Sequence, residues 1–331
     1  MNMKALAFSC KQMFRPHCQH LYHELSESQF WPVEQLREFN WRRRMELLET
    51  AYRFSDFHRK RFDQIGLQPG DIKDETDFAK IPVMRRQDVR LHIDEILTRN
   101  AEPEKIAKST TGGSTGIPLE FWLLRNSRYD YFTRRYLDWW KVGIAENSAY
   151  LYRNIPRGWH KTFNQLKWWP TQRAFLDAAQ MSDEANRKFL LQVEHIRPAL
   201  IVGYVGAIAE FADFLEKTGN AMPSSVKAVW TTAAPLPGYL RQRLTEIFHA
   251  EIYSQYGSRE FGHIATECMA HTGMHINWEY RHVEIVDTQG KCIPDGTVGD
   301  ILVTDMQNTI FPFIRYELGD RGQMLPPERQ T

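Results

Sequence analysis

Lys108-Ser109-Thr110-Thr111-Gly112-Gly113-Ser114-Thr115-Gly116-Ile117-Pro118-Leu119-Glu120-Phe121-Trp122 is the stretch on which the reading of this chain turns. Every residue from Ser109 to Gly116 is Ser, Thr or Gly. Glycine enters φ > 0 conformations without steric cost, so successive backbone N–H groups can face one concavity and hold an anion. Ser109, Thr110, Thr111, Ser114 and Thr115 add hydroxyl donors. A Walker A loop would need Gly-Lys-Ser/Thr opening a helix. Here Gly116 leads through Ile117-Pro118 into the strand-like Leu119-Glu120-Phe121-Trp122, so the expectation is strand, hydroxyl-rich loop, strand. A surface hairpin turn without a ligand has the same composition.

Around that loop lies a chain of 331 residues, long enough for a substantial core and for two domains. Its net charge of +1 argues against a general nucleic-acid or membrane-surface binder. No apolar run reaches the ~18 residues that span a bilayer. The apolar run Ala5–Cys10 ends at Lys11, too short for a signal peptide. Cys10, Cys18, Cys268 and Cys292 do not suggest a disulfide framework in a chain of this length, and the expected compartment is the cytoplasm.

From Pro32 to Phe62 the apolar residues Leu36, Phe39, Met45, Leu48, Ala51, Tyr52, Phe54 and Phe57 predict one long helix or two consecutive ones. Arg42-Arg43-Arg44 reads as a solvated face. Gly66 and Pro69-Gly70 end the helical run, Asp74 to Ala79 predicts a short helix, and Arg86 to Leu97 another. Tyr129, Phe132, Tyr136 and Trp139-Trp140 fall at helical spacing over 127–142 and read as core packing. The segment from Arg153 to Pro170, rich in Trp, Arg and Lys, reads as irregular, a candidate cover for a cleft. Helices are expected over 183–196, 206–218 and 240–248, and strands over 149–152, 199–204, 226–232 and 251–256. That alternation means βαβ units and a mainly parallel sheet. After His275 short strands (282–286, 299–304, 313–316) predict an antiparallel sheet or small barrel.

Two later stretches, Tyr256-Gly257-Ser258-Arg259-Glu260 and Arg315-Tyr316-Glu317-Leu318-Gly319-Asp320, follow the glycine-rich loop in sequence. In that order the three resemble motifs of the adenylate-forming (acyl-CoA ligase) superfamily. The N-terminal hundred residues, with Phe62, Gly66-Leu67 and Asp71-Ile72, resemble the phenylacetate–CoA ligase, coenzyme F390 synthetase and capsule-biosynthesis branch. The resemblance implies an α/β fold: the large N-terminal domain of that architecture, with mainly parallel sheets flanked by helices and a C-terminal antiparallel β portion. On this reading residues 1–105 form a helical segment, 106–274 the nucleotide-binding core and 275–331 the β-rich end of the same domain. Family members close with a small lid domain bearing a lysine that contacts the reacting carboxylate. Here the last lysine is Lys291 and only residues 321–331 follow Asp320, so a lid is expected to be absent and turnover slow.

The resemblance also implies roles. Ser109 to Gly116, with Gly112 and Gly113 at its centre, would grip the phosphates of ATP. Ala233-Ala234-Pro235 would line an adenine edge, Tyr256 would stack on the adenine with Gly257 beside it in the nucleotide-binding set, and Asp320 would take the ribose hydroxyls. Glu260 would face Mg²⁺, a role suited to carboxylate oxygen. Arg259 stands where many relatives have Thr or Ser; a guanidinium there could grip the α-phosphate or signal altered chemistry. Arg315, if inside, would need a carboxylate or phosphate partner. Cys268, His271 and His275 have zinc-like spacing but need a fourth ligand (Cys292, His263 or His282) from elsewhere; the alternative is a His-rich loop beside the site, with His275 near the acyl pocket. The function implied is ATP-dependent adenylation of a small carboxylic acid, with coenzyme A as acceptor. The alternative is a nucleotide-binding protein without turnover, or a partner subunit of a chain that supplies the lid. A homodimer stays open; nucleic acid and a membrane span are not expected.

Overall fold

The computed structural model describes residues 16–111, 118–125, 130–153 and 155–326; at 16–19, 130 and 161 it describes backbone only. Twelve strands run through the described residues: β1 (Ile106–Thr110), β2 (Glu120–Leu124), β3 (Ser148–Tyr152), β4 (Arg173–Asp177), β5 (Leu200–Tyr204), β6 (Ala228–Thr232), β7 (Glu251–Ser258), β8 (Gly262–Glu267), β9 (Met274–Ile276), β10 (Arg281–Val286), β11 (Gly299–Asp305) and β12 (Tyr316–Gly322). The chain groups into two compact units. The first comprises 1–27, 129–258 and 263–275, the second 28–128, 259–262 and 276–331.

The first unit is built on a seven-stranded sheet in the order β4-β3-β5-β6-β7-β8-β9. Its pairs β4–β3, β3–β5, β5–β6 and β6–β7 are all parallel. A parallel sheet is covered on both faces, so its strands read as nearly unbroken apolar runs. β5, Leu200-Ile201-Val202-Gly203-Tyr204, is such a run and is buried through Gly203. On one face Phe189, Val193, Ile208, Phe211, Leu215, Leu244 and Phe248, from helices Asp183–Ile196, Val205–Thr218 and Gly238–Phe248, close over Leu151, Ile201, Val229 and Ile252. Residues one position along point to the other face. There Trp230 and Tyr253 meet Trp140, the last pair stacked with centroids 4.7 Å apart. Tyr136 and Phe132, from helix Asp130–Trp139, are fully buried on that aromatic side, in agreement with the core reading. Tyr129 lies outside the described residues.

In the second unit helices Val33–Phe54 and Asp56–Gln64 follow one another, the two-helix form of the expectation. Ser55 ends the first and caps the second, accepting a hydrogen bond from His58 N. Leu47, Leu48 and Ala51 pack with Phe62, Ile72, Phe78, Ile81, Met306 and Ile314. The sheet β10-β11-β12 is antiparallel.

Four expectations are corrected. Arg44 is buried rather than solvated, because it shares a helix face with Leu47, Leu48 and Ala51 at i+3, i+4 and i+7. Its guanidinium pairs with Glu75 and lies over the Phe78 ring at 4.7 Å. The segment 159–168 is a helix, not irregular, and β4, which the sequence reading did not anticipate, follows it. The helix expected over 86–97 breaks at His92 into Arg86–Leu91 and Ile93–Ile96. The last strand begins at Tyr316 rather than Phe313, because Arg315 adopts φ 50° and interrupts the extended run.

Candidate functional site

Residues that carry chemistry by resemblance occur in both units. In the first, they collect at the carboxyl ends of β6 and β7, where ligands sit in open parallel sheets. β6 runs out into Ala233, which holds φ 68°, a conformation that is uncommon for a residue with a Cβ and that concentrates at functional turns. The two strand ends are stitched together by side chains. Thr231 Oγ1 donates to the Tyr253 carbonyl at 3.1 Å, Thr232 Oγ1 to Gln255 Oε1 at 2.9 Å, and Gln255 Nε2 to the Tyr256 carbonyl at 2.5 Å. Ala233-Ala234-Pro235 and the half-buried Tyr256-Gly257 therefore occupy one end of adjacent, cross-linked strands.

The same sheet has a topological switch point that sequence reading missed. From β3 the chain steps to β4 on one side, then returns past β3 to β5, β6 and β7 on the other. Tyr152 ends β3 and Tyr204 ends β5, with ring centroids 4.9 Å apart, and burial raises the Tyr152 phenol well above its ordinary value. Neither tyrosine belongs to a recognisable motif; only strand order singles them out.

In the second unit β1 and β2 form the expected hairpin, in antiparallel register from Ile106 opposite Leu124 to Thr110 opposite Glu120. Gly112, Gly113, Ser114, Thr115 and Gly116 lie outside the described residues. Ser109, Thr110 and Thr111 are described and form the base of the connection. Thr111 N donates to the Leu119 carbonyl at 2.9 Å, and Thr111 Oγ1 accepts from Leu119 N at 3.1 Å and from Arg86 Nη2 at 2.8 Å. Arg259 Nη1 donates to the Thr110 carbonyl at 2.5 Å. The sequence marks Arg259 as a departure from its relatives, but its partner 149 positions earlier could not be read from any local pattern.

Beside Arg259, Glu260 is 5 % exposed, with no hydrogen-bond or ion-pair partner among the described residues. Its neighbour Phe261 is fully buried against Phe313 and Tyr316, which fixes the turn. The Tyr316 phenol is pushed upward by burial first and by the Glu260 charge second. The side chain is largely enclosed, yet its oxygens are not among the fully buried, unpartnered atoms, so the carboxylate keeps an accessible edge with no described donor on it. Glu260 thus has the donor chemistry that would suit a hard divalent ion.

Asp320 lies inside β12. Opposite β11 residues 300–302, β12 spends 317–321, so the strand bulges there, with Gly319 at φ 84°. Bulges of this kind re-aim side chains, and Asp320 is exposed. Arg315 is inside and has the partner its burial demands. Its guanidinium meets Glu284 at 3.0–3.1 Å and donates to the carbonyls of Ala79, Ile81 and Gly290 at 2.5–2.7 Å. Its role is structural.

The zinc spacing is not realised as a ligand set: among the described residues no three His, Cys, Asp or Glu side chains group around a common point. His271 Nδ1 accepts from Arg241 at 3.1 Å, since a guanidinium can only donate, so Nε2 carries the proton toward Glu251 at 3.3 Å. Neither nitrogen offers a lone pair to a metal. His275 packs its ring against Trp139 at 5.3 Å, and burial, then Arg135, lower its pKa.

No protein-family model matches the chain. It is similar to the phenylacetate–coenzyme A ligase of Aromatoleum evansii, 24 % identical over 318 residues covering 90 % of this chain and 68 % of that one. It is 22 % identical over 256 residues to the protein CapK of Staphylococcus aureus, covering 75 % of this chain and 54 % of CapK. Among solved structures, a 2-hydroxyisobutyryl-CoA ligase in the postadenylation state superposes with a TM-score of 0.70 at 16 % identity, over 89 % of this chain and 64 % of that one. The same ligase in an open conformation with its acyl-AMP and coenzyme A gives 0.66. The chain thus spans about two thirds of the length of most of these relatives, and little over half of CapK. It has the fold of the adenylate-forming acyl-CoA ligases, and its sequence resembles the phenylacetate–coenzyme A ligase and CapK branch of that superfamily.

Proposed function

We propose that this chain supplies the nucleotide- and carboxylate-binding part of an AMP-forming acid–thiol ligase. A carboxylate oxygen attacks the α-phosphorus of ATP, the bond to the bridging oxygen breaks, and pyrophosphate leaves with the electron pair. The sulfur of coenzyme A, as thiolate, then attacks the acyl carbonyl and expels AMP. What the protein contributes to an in-line displacement of this kind is positioning and charge balance.

The residues divide that work. Ser109, Thr110 and Thr111 would hold the departing β,γ-phosphates through their hydroxyls, and Gly112–Gly116 through backbone N–H donors. Ala233-Ala234-Pro235 offers backbone to the adenine edge, Tyr256 stacks on the base, and Asp320 accepts from both ribose hydroxyls. Glu260 would hold Mg²⁺, which when bound neutralises charge on the phosphates. Arg259, tied to the Thr110 carbonyl, keeps the base of the phosphate loop next to that carboxylate.

One observation carries this reading: Glu260 is a buried carboxylate with no described partner, in the turn that follows the strand bearing Tyr256. The test is carboxylate-dependent exchange of pyrophosphate into ATP across aromatic and aliphatic acids, beside calorimetry with ATP and Mg²⁺. Exchange with at least one acid is expected. Tight ATP binding with no exchange for any acid would sink the ligase reading.

A further inference from the structure

Helix Trp159–Trp168 turns large apolar side chains outward. Trp159 is 70 % exposed, Phe163 60 % and Leu166 67 %, with Trp169 at the C-cap 62 %. Steps of four and three place Trp159, Phe163 and Leu166 on one helical face. Single exposed hydrophobics are ordinary, but a contiguous patch marks an interaction site.

The stretch of chain that carries the patch has charge of one sign. From Arg153 to Arg173 the chain carries Arg153, Arg157, Lys161, Lys167 and Arg173 and no Asp or Glu, in a protein whose total is +1. Arg157 is offset by Asp177 at 2.5 Å, and Arg173 lies over the Trp168 ring at 3.5 Å; Arg153 is exposed. A second copy of the chain fits this patch poorly. A two-fold contact brings the same patch against itself and would set like charges together. Tryptophans at both ends of a short, lysine-bearing helix are instead the composition of segments that lie in a bilayer interface, indoles at headgroup level and cations toward lipid phosphates.

We propose that the face formed by Trp159, Phe163, Leu166 and Trp169 docks on an anionic lipid surface, with the basic residues of 153–173 supplying the electrostatic attraction. This binding is peripheral: no described helix is long and apolar enough to cross a membrane. The experiment is co-sedimentation of the whole protein with phosphatidylcholine vesicles, with and without phosphatidylglycerol, at low and high salt. The expected result is binding roughly tenfold or more stronger to the anionic vesicles, falling as salt screens the charges. Phe163→Ser with Leu166→Ser should reduce it about tenfold, and Arg153→Gln with Lys167→Gln should remove most of the anionic preference. Phe163, Leu166 and Arg153 are exposed and Lys167 is half-buried, so circular dichroism and melting of each variant are compared with the parent, and only folded variants are scored. No binding to anionic vesicles by folded protein, or binding indifferent to the Ser substitutions, overturns the proposal. So does self-association, or capture of an acidic protein, that the Ser substitutions abolish while vesicles bind nothing.

Discussion

Buried charge in the sheet β10-β11-β12 and buried charge in the turn after β7 are treated differently. In the sheet, Arg281 meets Asp305 at 2.5 Å and the carbonyls of Tyr280 and Phe261, while Arg315 meets Glu284 and three carbonyls. These side chains are 2 % exposed or less on the arginine side; the Arg315–Glu284 network is complete, while Arg281 Nε and Asp305 Oδ2 are left over in the other. In the turn, Glu260 is 5 % exposed and meets no donor among the described residues. The contrast separates charge spent on holding the chain together from charge kept for something that arrives later. Completed networks predict loss of stability when broken; the uncompleted carboxylate predicts loss of activity with stability intact.

The largest effect should come from the completed side. Glu284→Ala leaves the Arg315 guanidinium buried with carbonyls only and should cost about 3–5 kcal/mol, the scale for stripping one partner from a buried pair. Urea unfolding measures it; a loss under about 1 kcal/mol would mean the network resembles a surface ion pair and the contrast fails. Asp320→Ala sharpens the other side. It should weaken ATP binding by roughly 1–3 kcal/mol, the cost of losing a charge-assisted partner, while unfolding stays near the parent because Asp320 is exposed. Calorimetry with unchanged affinity would remove Asp320 from the site.

The effect that disappears at neutral pH concerns His58, a buried group of the structural kind. Its Nδ1 accepts from Arg61 at 3.0 Å and its Nε2 donates to the Pro312 carbonyl at 2.8 Å, an arrangement that requires the neutral ring. Burial first, then the Arg61 charge, lower its pKa from 6.5 to about 3. The unfolded chain therefore takes up a proton that the folded protein refuses. Stability from this group is complete above about pH 6.5 and is lost as pH falls toward about 3, at roughly 1.4 kcal/mol per pH unit. His58→Gln should flatten the unfolding free energy between those limits by that slope. An unchanged slope would show that His58 does not titrate across unfolding.

What the sequence revealed follows the range of the forces involved. Helix Asp183–Ile196 was legible to the residue, because Ser182 caps it and Phe189, Leu190 and Val193 repeat at helical spacing. β5 and β10 were legible to within a residue from apolar runs bounded by turn residues. Arg315 was legible as a charge that must find a partner, but Glu284 was not, nor was the Thr110 carbonyl as the partner of Arg259, since such contacts join distant stretches. Arg44 was misjudged as part of a basic run when helical phase, not composition, decides its side of the helix. Helix Trp159–Trp168 escaped because its apolar face looks outward, where a core-directed pattern gives no help. The basic composition of that stretch was legible; that its apolar side chains face outward was not.

Glu260→Gln tests the central claim most directly, because it removes the charge and keeps the shape. The account predicts that carboxylate-dependent pyrophosphate exchange falls about 10²-fold or more, the scale for losing one preorganised electrostatic contact. Urea unfolding should stay within about 1 kcal/mol of the parent or shift toward greater stability, since the substitution relieves a buried charge that lacks a described donor. Exchange at the parental rate, or unfolding weakened as far as in Glu284→Ala, would show that Glu260 belongs with the structural charges and would contradict the account.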